Sequence, residues 1–307
     1  MKLLVPFKLD EKYRKIGRDI IGEENIIWFP ETGDADVLLI RGNDFPRDRN
    51  FKFIQAVSAG TDHINLESID GDTIVASNAG AYSISVAEHA IALMLARSKN
   101  ISNFEHETRN GIYKPRPTKL LNGRTLGIIG YGGIGSRTAE IAKTLGMRVI
   151  SIASGHRDEF YDEFLSIGEL DVLLKRADYV LISIPLTNVT LGLIGKRELE
   201  LLKKDCTVIN VARPEIVKKN EMLEFLDKNK DVSYLTDVWW GEPGLDGSRR
   251  ENVVITPHIA GGLSGEIMEF SYRCAFENIK RFMDGKQPRN IVKRNEGLFI
   301  DREKIGI

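Results

Sequence analysis

The chain has 307 residues, of which 42% are hydrophobic and 28% charged, and its formal net charge is −1. This length allows two domains with substantial cores. The near-neutral charge gives no electrostatic basis for binding nucleic acid or an anionic membrane. No apolar run approaches the roughly 20 residues that span a bilayer, and Cys206 and Cys274 lack the spacing of a metal or redox site. We therefore expect a cytoplasmic globular protein without metal, nucleic-acid or membrane partners.

Short apolar runs alternate with helical patterns in the first part of the chain. Four of these runs are predicted as strands: Lys2–Val5, Asp36–Ile40, Phe53–Val57 and Thr73–Ala76. Such alternation predicts a parallel sheet with helices on both faces. Val86–Ser98 is apolar on most faces, which predicts a buried helix. Ile101–Leu121 is predicted to form a helical arm followed by an irregular segment.

A second α/β unit is predicted to begin at Thr125. Its first strand, Thr125–Gly130, is followed by five more: Arg148–Ala153, Tyr179–Ile184, Thr207–Ala212, Ser233–Val238 and Asn252–Thr256. Strands separated by helical lengths are typical of a doubly wound sheet. A last helix is predicted over Gly265–Asp284, where Gly285 is a stop signal. The tail Asn290–Ile307 is expected to return to the first unit.

The second unit opens with a glycine-rich loop, Gly130-Tyr131-Gly132-Gly133-Ile134-Gly135. In such a loop the first glycine permits a tight turn, the second lets the backbone approach a pyrophosphate, and the third lets the helix pack closely on the sheet. The helix N-terminus adds N–H groups and a dipole that favours an anion. The combination predicts a dinucleotide site, with a simple packing turn as the alternative.

The end of the next predicted strand bears on which dinucleotide binds. About 20 residues beyond the first glycine, NAD sites carry Asp or Glu for the ribose 2′-hydroxyl. That position is Ala153 here, and Ser154, His156 and Arg157 follow before Asp158. The missing carboxylate removes repulsion against a 2′-phosphate, and Arg157 can pair with that phosphate unless it is a solvated loop residue. The sequence favours NADP over NAD, with Ser154 and Arg157 as ligands.

Three polar segments follow predicted strands, at the edge where open α/β sheets place ligands. They are Asn210-Val-Ala-Arg213, Asp237-Val-Trp-Trp-Gly-Glu242-Pro and Thr256-Pro-His258-Ile-Ala-Gly. Taken singly, Arg213 is explained as a surface cation, Glu242 as a loop carboxylate and His258 as a turn residue. Four further segments occur in a fixed order with them and the glycine loop: Gln55-Ala-Val-Ser-Ala-Gly-Thr-Asp-His-Ile, Asn78-Ala-Gly, Ser85-Val-Ala-Glu-His and Ser183-Ile-Pro-Leu-Thr. Together they resemble the D-isomer-specific 2-hydroxyacid dehydrogenases, over nearly the whole chain.

This resemblance implies an α/β fold in which a doubly wound Rossmann domain is inserted into a smaller, flavodoxin-like substrate domain. Residues 1–94 and 264–307 would form the substrate domain, and residues 95–263 the dinucleotide-binding domain. The insertion explains why the glycine loop comes late in the chain. The resemblance also implies a homodimer, with much of its interface around Val86–Pro117.

The same resemblance implies an enzyme that acts on a CH–OH group, transferring hydride between NAD(P)H and C2 of a small D-2-hydroxy or 2-oxo acid. Arg213 would fork onto the substrate carboxylate and the carbonyl oxygen. His258 would be the acid–base, and Glu242 would orient its ring. Further substrate contacts are expected from the backbone of Ser58, Ala59 and Gly60.

Cofactor contacts follow from the resemblance as well. Asp237 falls where the family contacts the nicotinamide carboxamide, and Ser85 where it faces the nicotinamide. The complete expected set is Ser85, Gly130, Tyr131, Gly132, Gly133, Ile134, Gly135, Ser154, Arg157, Pro185, Val211, Asp237, His258 and Gly261. His89, on the buried helix, is interpreted as a satisfied core histidine.

One departure from the family pattern and two alternatives bear on the predicted function. The family usually has Gly directly after the catalytic Arg, whereas this chain has Pro214, so we expect an altered Arg213 loop. A glyoxylate-, hydroxypyruvate- or glycerate-like acid is expected, since no clear phosphate pocket is evident. A phosphoglycerate dehydrogenase is the alternative, for which Arg41 is the best-placed cation. A non-catalytic, NAD(P)-sensing corepressor-like protein is a second alternative, because such proteins retain the same Arg, Glu and His.

Overall fold

The structure, a computed structural model, describes residues 1–43, 45–46, 48–153, 159–262 and 264–294. The chain divides into two compact units. The first comprises Met1–Tyr82, Leu186–Val189 and Gly262–Ile307, and the second comprises Ser83–Pro185 and Thr190–Gly261. Among the described residues, no helix combines the length and the apolar character needed to cross a membrane.

Twelve β-strands and eight α-helices lie in these described ranges. The strands are β1 (Leu3–Val5), β2 (Ile26–Trp28), β3 (Val37–Ile40), β4 (Phe53–Ala56), β5 (Ile74–Ala76), β6 (Thr125–Ile129), β7 (Arg148–Ile152), β8 (Glu163–Leu165), β9 (Tyr179–Ile182), β10 (Thr207–Asn210), β11 (Ser233–Thr236) and β12 (Val253–Ile255). The helices are α1 (Glu11–Ile21), α2 (Ser83–Ser98), α3 (Ile101–Arg109), α4 (Gly133–Thr144), α5 (Leu170–Arg176), α6 (Lys196–Leu199), α7 (Lys219–Lys228) and α8 (Gly265–Met283).

The first unit is built on a parallel sheet with the strand order β2-β1-β3-β4-β5, which is the flavodoxin-like order. Successive side chains of a strand point to opposite faces. Leu3 and Val5 accordingly join one core with Phe276 of α8, and α1 packs against α8 beside it. Leu4 joins the core of the other face with Ile64. The strands of this unit are therefore apolar on both faces.

The segment after α8 lies along the first sheet. The Ser77 N–H donates to the Asn290 carbonyl at 3.0 Å. Asn278, a buried residue of α8, donates to the Gln55 side chain at 2.7 Å and accepts from the Arg289 N–H at 2.7 Å. These bonds connect β4, α8 and the described part of the tail.

The second unit contains a parallel sheet with the order β12-β11-β10-β9-β6-β7-β8. This is the doubly wound Rossmann order with one strand added beyond the sixth. The order reverses between β6 and β9, and ligands of such sheets bind outside the carboxyl ends of the strands at that point. The α/β class and the two parallel sheets predicted from the sequence are confirmed.

The division between the units differs from the boundary expected between residues 94 and 95. That boundary falls inside α2, whereas the compact units divide between Tyr82 and Ser83. The whole of α2 belongs to the second unit, where it packs against α4 and contacts β10. The packing of α2 against α4 and β10 accounts for a division that precedes its first residue.

Candidate functional site

The glycine loop joins β6 to α4 and leaves no space for side chains at its first and third glycines. Gly130 has φ +102°, and a Cβ built there would lie 2.4 Å from the Ile184 Cγ2 atom. A Cβ at Gly135 would lie 2.2 Å from the Gly130 carbonyl oxygen. The tight turn after β6, at Gly130, is therefore in direct contact with the first helical turn of α4, at Gly135, as the spacing of the glycines predicts.

Gly132 differs from these two glycines, because a Cβ built there would meet no atom within 4 Å. The 12-residue helix α4 begins at the next residue, and the first N–H groups of a helix have no partner within it. A pocket of about 230 Å³ is lined by Gly133 and Ser136. Open space at a helix N-terminus suits a pyrophosphate, so the residues present fit a dinucleotide held by the backbone of Gly132, Gly133 and Ile134.

The remaining predicted cofactor residues occupy defined places in the second unit. Tyr131 is 1% exposed and packs edge-on against Tyr161, with 5.6 Å between ring centroids, so its backbone alone can face a ligand. Ser85 donates to the Ala260 carbonyl at 2.6 Å. The others lie beyond the ends of strands β9 to β12: Pro185, Val211, Asp237, His258 and Gly261.

The residues on which the cofactor preference depends are only partly described. Ala153 directly follows β7, at the position where an NAD-binding protein carries an acid. Ser154 and Arg157 lie outside the described residues. The absence of an acid at Ala153 is thus the observation that bears on the 2′-position.

Arg213 lies in a loop that is fixed by a buried asparagine at the end of β10. Asn210 is fully buried, and its side-chain N–H donates to the Arg213 carbonyl at 2.9 Å. Its Oδ1 atom accepts from the Ala212 N–H at 3.0 Å. The Asp237 N–H, directly after β11, donates to the Asn210 carbonyl at 3.1 Å. The carboxyl ends of β10 and β11 are therefore joined beneath Arg213.

Pro214 fits this loop. It begins the 3₁₀ turn Pro214–Ile216, a position where a helical turn needs no N–H and where the fixed φ of proline is suitable. Arg213 precedes the turn in an extended conformation, with φ −142°, and its Nη1 donates to the Ala212 carbonyl at 2.8 Å. The proline is accommodated by a turn that begins directly after the arginine.

Glu242 and His258 form a hydrogen-bonded pair in the loops after β11 and β12. The His258 Nδ1 atom lies 2.9 Å from Glu242 Oε2, and the Trp239 N–H donates to Glu242 Oε1. A carboxylate only accepts hydrogen bonds, so Nδ1 carries the proton and Nε2 is the nitrogen that can take up or release one. The His258 side chain is 51% exposed, whereas that of Glu242 is 21% exposed. This is the geometry of an accessible acid–base held by a sheltered carboxylate.

Asp237 holds the backbone of the His258 loop. Its side chain is 3% exposed, and its two oxygens accept from the Ile259 N–H at 2.9 Å and the Ala260 N–H at 2.7 Å. His258 itself has φ +54°, a left-handed conformation that is uncommon outside glycine. The Asp237 carboxylate therefore stabilises an unusual backbone at the proposed acid–base.

The predicted substrate residues Ser58, Ala59 and Gly60 belong to the first unit. They follow β4, at the carboxyl edge of its sheet, and Ala59 is exposed there. The Ser58 carbonyl accepts from the Asn78 N–H at 2.8 Å, and its Oγ lies 3.4 Å from His63 Nε2. His63 thus supports this loop.

Residues 91–260 match the family model described as the NAD binding domain of D-isomer specific 2-hydroxyacid dehydrogenases. The match covers more than half of the chain. The chain belongs to this dehydrogenase family. The resemblance predicted from the motifs is confirmed.

Relatives within the family carry several names. D-3-phosphoglycerate dehydrogenase of Methanocaldococcus jannaschii is 31% identical over 295 residues, which cover 89% of this chain and 54% of that protein. Glyoxylate reductase of Aeropyrum pernix is 32% identical over 258 residues, covering 79% and 76%. A glycerate dehydrogenase related protein from Thermoplasma acidophilum is 42% identical in sequence. Its crystal structure superposes with a TM-score of 0.72, and the match covers 92% of this chain and all of that one. The chain spans about half the length of the phosphoglycerate dehydrogenase.

Two residues that support the predicted site stand in the sequence motifs described above, but no role was predicted for them from the sequence. Asn210 is the last residue of the buried strand β10 and Thr256 directly follows β12, and both bond to the loops that carry the predicted site. A polar residue placed last in a buried strand needs a partner, since burying it without one is costly. That position is the signal that could have found them.

Proposed function

We propose that this dehydrogenase-family protein is an NAD(P)-dependent enzyme that acts on the CH–OH group of small D-2-hydroxy acids and reduces the matching 2-oxo acids. The hydrogen bond of 2.9 Å between His258 Nδ1 and Glu242 Oε2 carries the proposal. It supports a proton donor and acceptor at the carboxyl edge of the sheet whose glycine loop fits a dinucleotide.

The cofactor and three side chains have distinct tasks in this reaction. The bound cofactor supplies or accepts the hydride at C2. Arg213 binds the carboxylate and polarises the carbonyl oxygen, because its guanidinium presents a fork of donors. His258 gives a proton from Nε2 to that oxygen in reduction and takes it back in oxidation. Glu242 accepts from His258 Nδ1 and so orients the ring.

The remaining assignments complete the proposed site. Asp237 and Ser85 are assigned to the nicotinamide side of the cofactor. The backbone N–H groups at Ala59 and Gly60, with Ser58, are assigned to the second carboxylate oxygen. The first unit thereby acts as the substrate domain, and the second as the dinucleotide-binding domain.

The proposed substrates are glyoxylate, hydroxypyruvate and glycerate, in line with the names of the glyoxylate reductase and glycerate dehydrogenase relatives. D-3-phosphoglycerate is the second candidate, since a relative of 31% identity bears that name. Arg41 supports it, because this cation follows β3 and is already oriented. Its Nε donates to the Tyr272 hydroxyl at 2.9 Å, and its guanidinium lies 4.4 Å from the centre of the Phe7 ring.

The preferred cofactor is proposed to be NADP, because Ala153 stands where an NAD protein has its acid. A cytoplasmic homodimer is proposed as well. Large apolar side chains are exposed along α3 and the segment after it, and contiguous exposed apolar surface marks contact sites. These side chains are Ile101, Ile112, Tyr113 and Leu120.

A panel of 2-oxo acids tests the function, assayed with NADH and NADPH in parallel through loss of nicotinamide absorbance. Glyoxylate, hydroxypyruvate and phosphohydroxypyruvate are compared in the wild-type protein and in Arg41→Ala. Turnover of the first two, undiminished in Arg41→Ala, supports the small-acid assignment. Turnover of phosphohydroxypyruvate alone, lost in Arg41→Ala, supports the second candidate. Tight cofactor binding without any turnover would contradict both and favour a sensor.

A further inference from the structure

The loop that carries His258 is held from two sides, and one of the residues that hold it, His89, has no part in the function described above. Asp237 holds it through the N–H groups of Ile259 and Ala260. The other contacts come from α2, whose Ser85 donates to the Ala260 carbonyl and whose His89 reaches Thr256. Ser85 and His89 are four residues apart and so lie on one face of the helix.

The hydrogen bonds at Thr256 have a fixed direction. The Thr256 Oγ1 atom lies 2.5 Å from Asp237 Oδ1 and 2.8 Å from His89 Nε2. A threonine hydroxyl has one proton, and a carboxylate accepts only, so Thr256 donates to Asp237. The hydroxyl must then accept from His89, which requires the proton on Nε2 of that ring.

The chain of bonds therefore runs from His89 to Thr256 to Asp237 within the second unit. The His89 side chain is 19% exposed and that of Asp237 is 3% exposed, so both bonds are largely sheltered from water. Sheltered polar networks of this kind fix one geometry, because leaving a member unpaired is costly.

We propose that His89 is a positioning residue for His258. It acts through the Thr256 hydroxyl and Asp237 to hold the loop in which His258 has φ +54° and faces Glu242. The role rests on the proposed function, since the position of His258 affects turnover only if its ring is the acid–base.

Substitutions at both ends of the hydrogen bond between His89 and Thr256 test whether His89 positions His258. In His89→Leu and Thr256→Val, which remove the bond but retain bulk, we expect kcat to fall by about 10- to 100-fold, as for partners that orient a functional ring. The KM for the cofactor should stay within about twofold. His89→Gln retains an N–H near the position of Nε2 and should recover most of kcat. The double variant should be no worse than either single variant, because both break the same bond.

A measurement that needs no turnover separates this role from the proposed function. The chain has five histidines, so the ring ¹⁵N signals can be assigned by single substitutions. His89 should appear as the Nε2–H tautomer, and His89→Leu and Thr256→Val should shift the ring signals of His258. The exposed His106→Leu is the control and should leave them in place. Unchanged His258 signals in both variants, or equal losses of kcat in His89→Leu and His89→Gln, would overturn the proposal, whatever the wild-type activity proves to be.

Discussion

At the residue scale, the proposed site combines one exposed side chain with two sheltered side chains that hold it in place. His258 is half exposed and can meet a substrate, whereas Glu242 and Asp237 are sheltered and fix its ring and backbone. An exposed imidazole alone would rotate among solvent-facing rotamers. Two carboxylates limit it to one orientation and one tautomer.

Glu242→Gln should lower kcat by about 10- to 100-fold, because a neutral amide is a weaker acceptor for the His258 Nδ1–H bond and orients the ring less firmly. The substitution keeps the size of the side chain, so binding of the cofactor should change little. Steady-state kinetics with saturating cofactor measure the effect, and Glu251→Gln, at an exposed position, is the control. An unchanged kcat would show that the carboxylate does not serve the ring.

Ala153→Asp should lower kcat/KM for NADPH by about 10- to 100-fold, since a carboxylate within about 4 Å of a 2′-phosphate repels it by several kcal/mol before screening. NADH, which has a hydroxyl there, should be used at least as well as before. Ala153→Asn adds similar bulk without charge and should change kcat/KM little with either NADPH or NADH. Equal losses of kcat/KM with NADPH and NADH would contradict the proposal that residue 153 lies beside the 2′-position of the cofactor.

At the element scale, the carboxyl ends of β10, β11 and β12 are joined by hydrogen bonds. The Asn210 side chain of β10 donates to the Tyr234 hydroxyl of β11 at 3.2 Å, and the Thr256 N–H, directly after β12, donates to the Thr236 carbonyl at 2.9 Å. The loops that carry Arg213, Glu242 and His258 therefore start from one fixed edge.

Asn210→Ala should reduce the free energy of unfolding by about 2 kcal/mol, because it leaves buried backbone groups of the Arg213 loop unpaired. It should also raise the KM for the 2-oxo acid, since the loop loses its anchor. Urea denaturation measures the first effect. The exposed Asn220→Ala is the matched control, for which a change within about 0.5 kcal/mol is expected. Equal stabilities of the two variants would argue against the anchor.

The ion pair between α7 and the segment before β12 predicts a pH dependence of stability. The Arg250 guanidinium, at 2.9 and 2.8 Å, lowers the pKa of Asp227 from 3.8 to about 2. A lowered carboxyl pKa stabilises the fold fully above 3.8, and this stabilisation is lost as the pH falls through 2.

Asp227→Asn should therefore have a lower urea midpoint than the wild type at pH 6, and the difference should shrink as the pH is lowered below 3.8. The pair is exposed, so added salt should also reduce the difference. Asp231→Asn, at an exposed position near the same helix, is the control. A difference that persists unchanged at low pH would contradict this account of Asp227.

At the scale of the whole molecule, the sequence predicted both sheets but not all of their strands. Long apolar runs such as Phe53–Val57 were recognised because burial on both faces leaves a continuous pattern. The three-residue edge strands β2 and β8 were not predicted from the sequence, whereas β5 and β12, which are equally short and also lie at sheet edges, were. Strand ends were overestimated, because apolar residues such as Val211 continue into buried loops.

Sequence patterns likewise predicted only part of the candidate site. Arg213, Glu242 and His258 were found because their motifs are local. The bond between His89 and Thr256 joins residues 167 positions apart, so no pattern in the sequence reports it. The packing of α2 against the distant helix α4 is likewise a contact that no local pattern in the sequence reports.

The central claim is hydride transfer at C2 with His258 as the acid–base. It is tested most directly by reducing hydroxypyruvate with NADPH or NADH in the wild type and in His258→Gln, followed by chiral analysis of the glycerate formed. The account predicts D-glycerate from the wild type and a fall in kcat of about 10²- to 10⁴-fold in the variant, whose far-UV circular dichroism should be unchanged. L-glycerate, or a variant that reduces hydroxypyruvate as fast as the wild type, would contradict it.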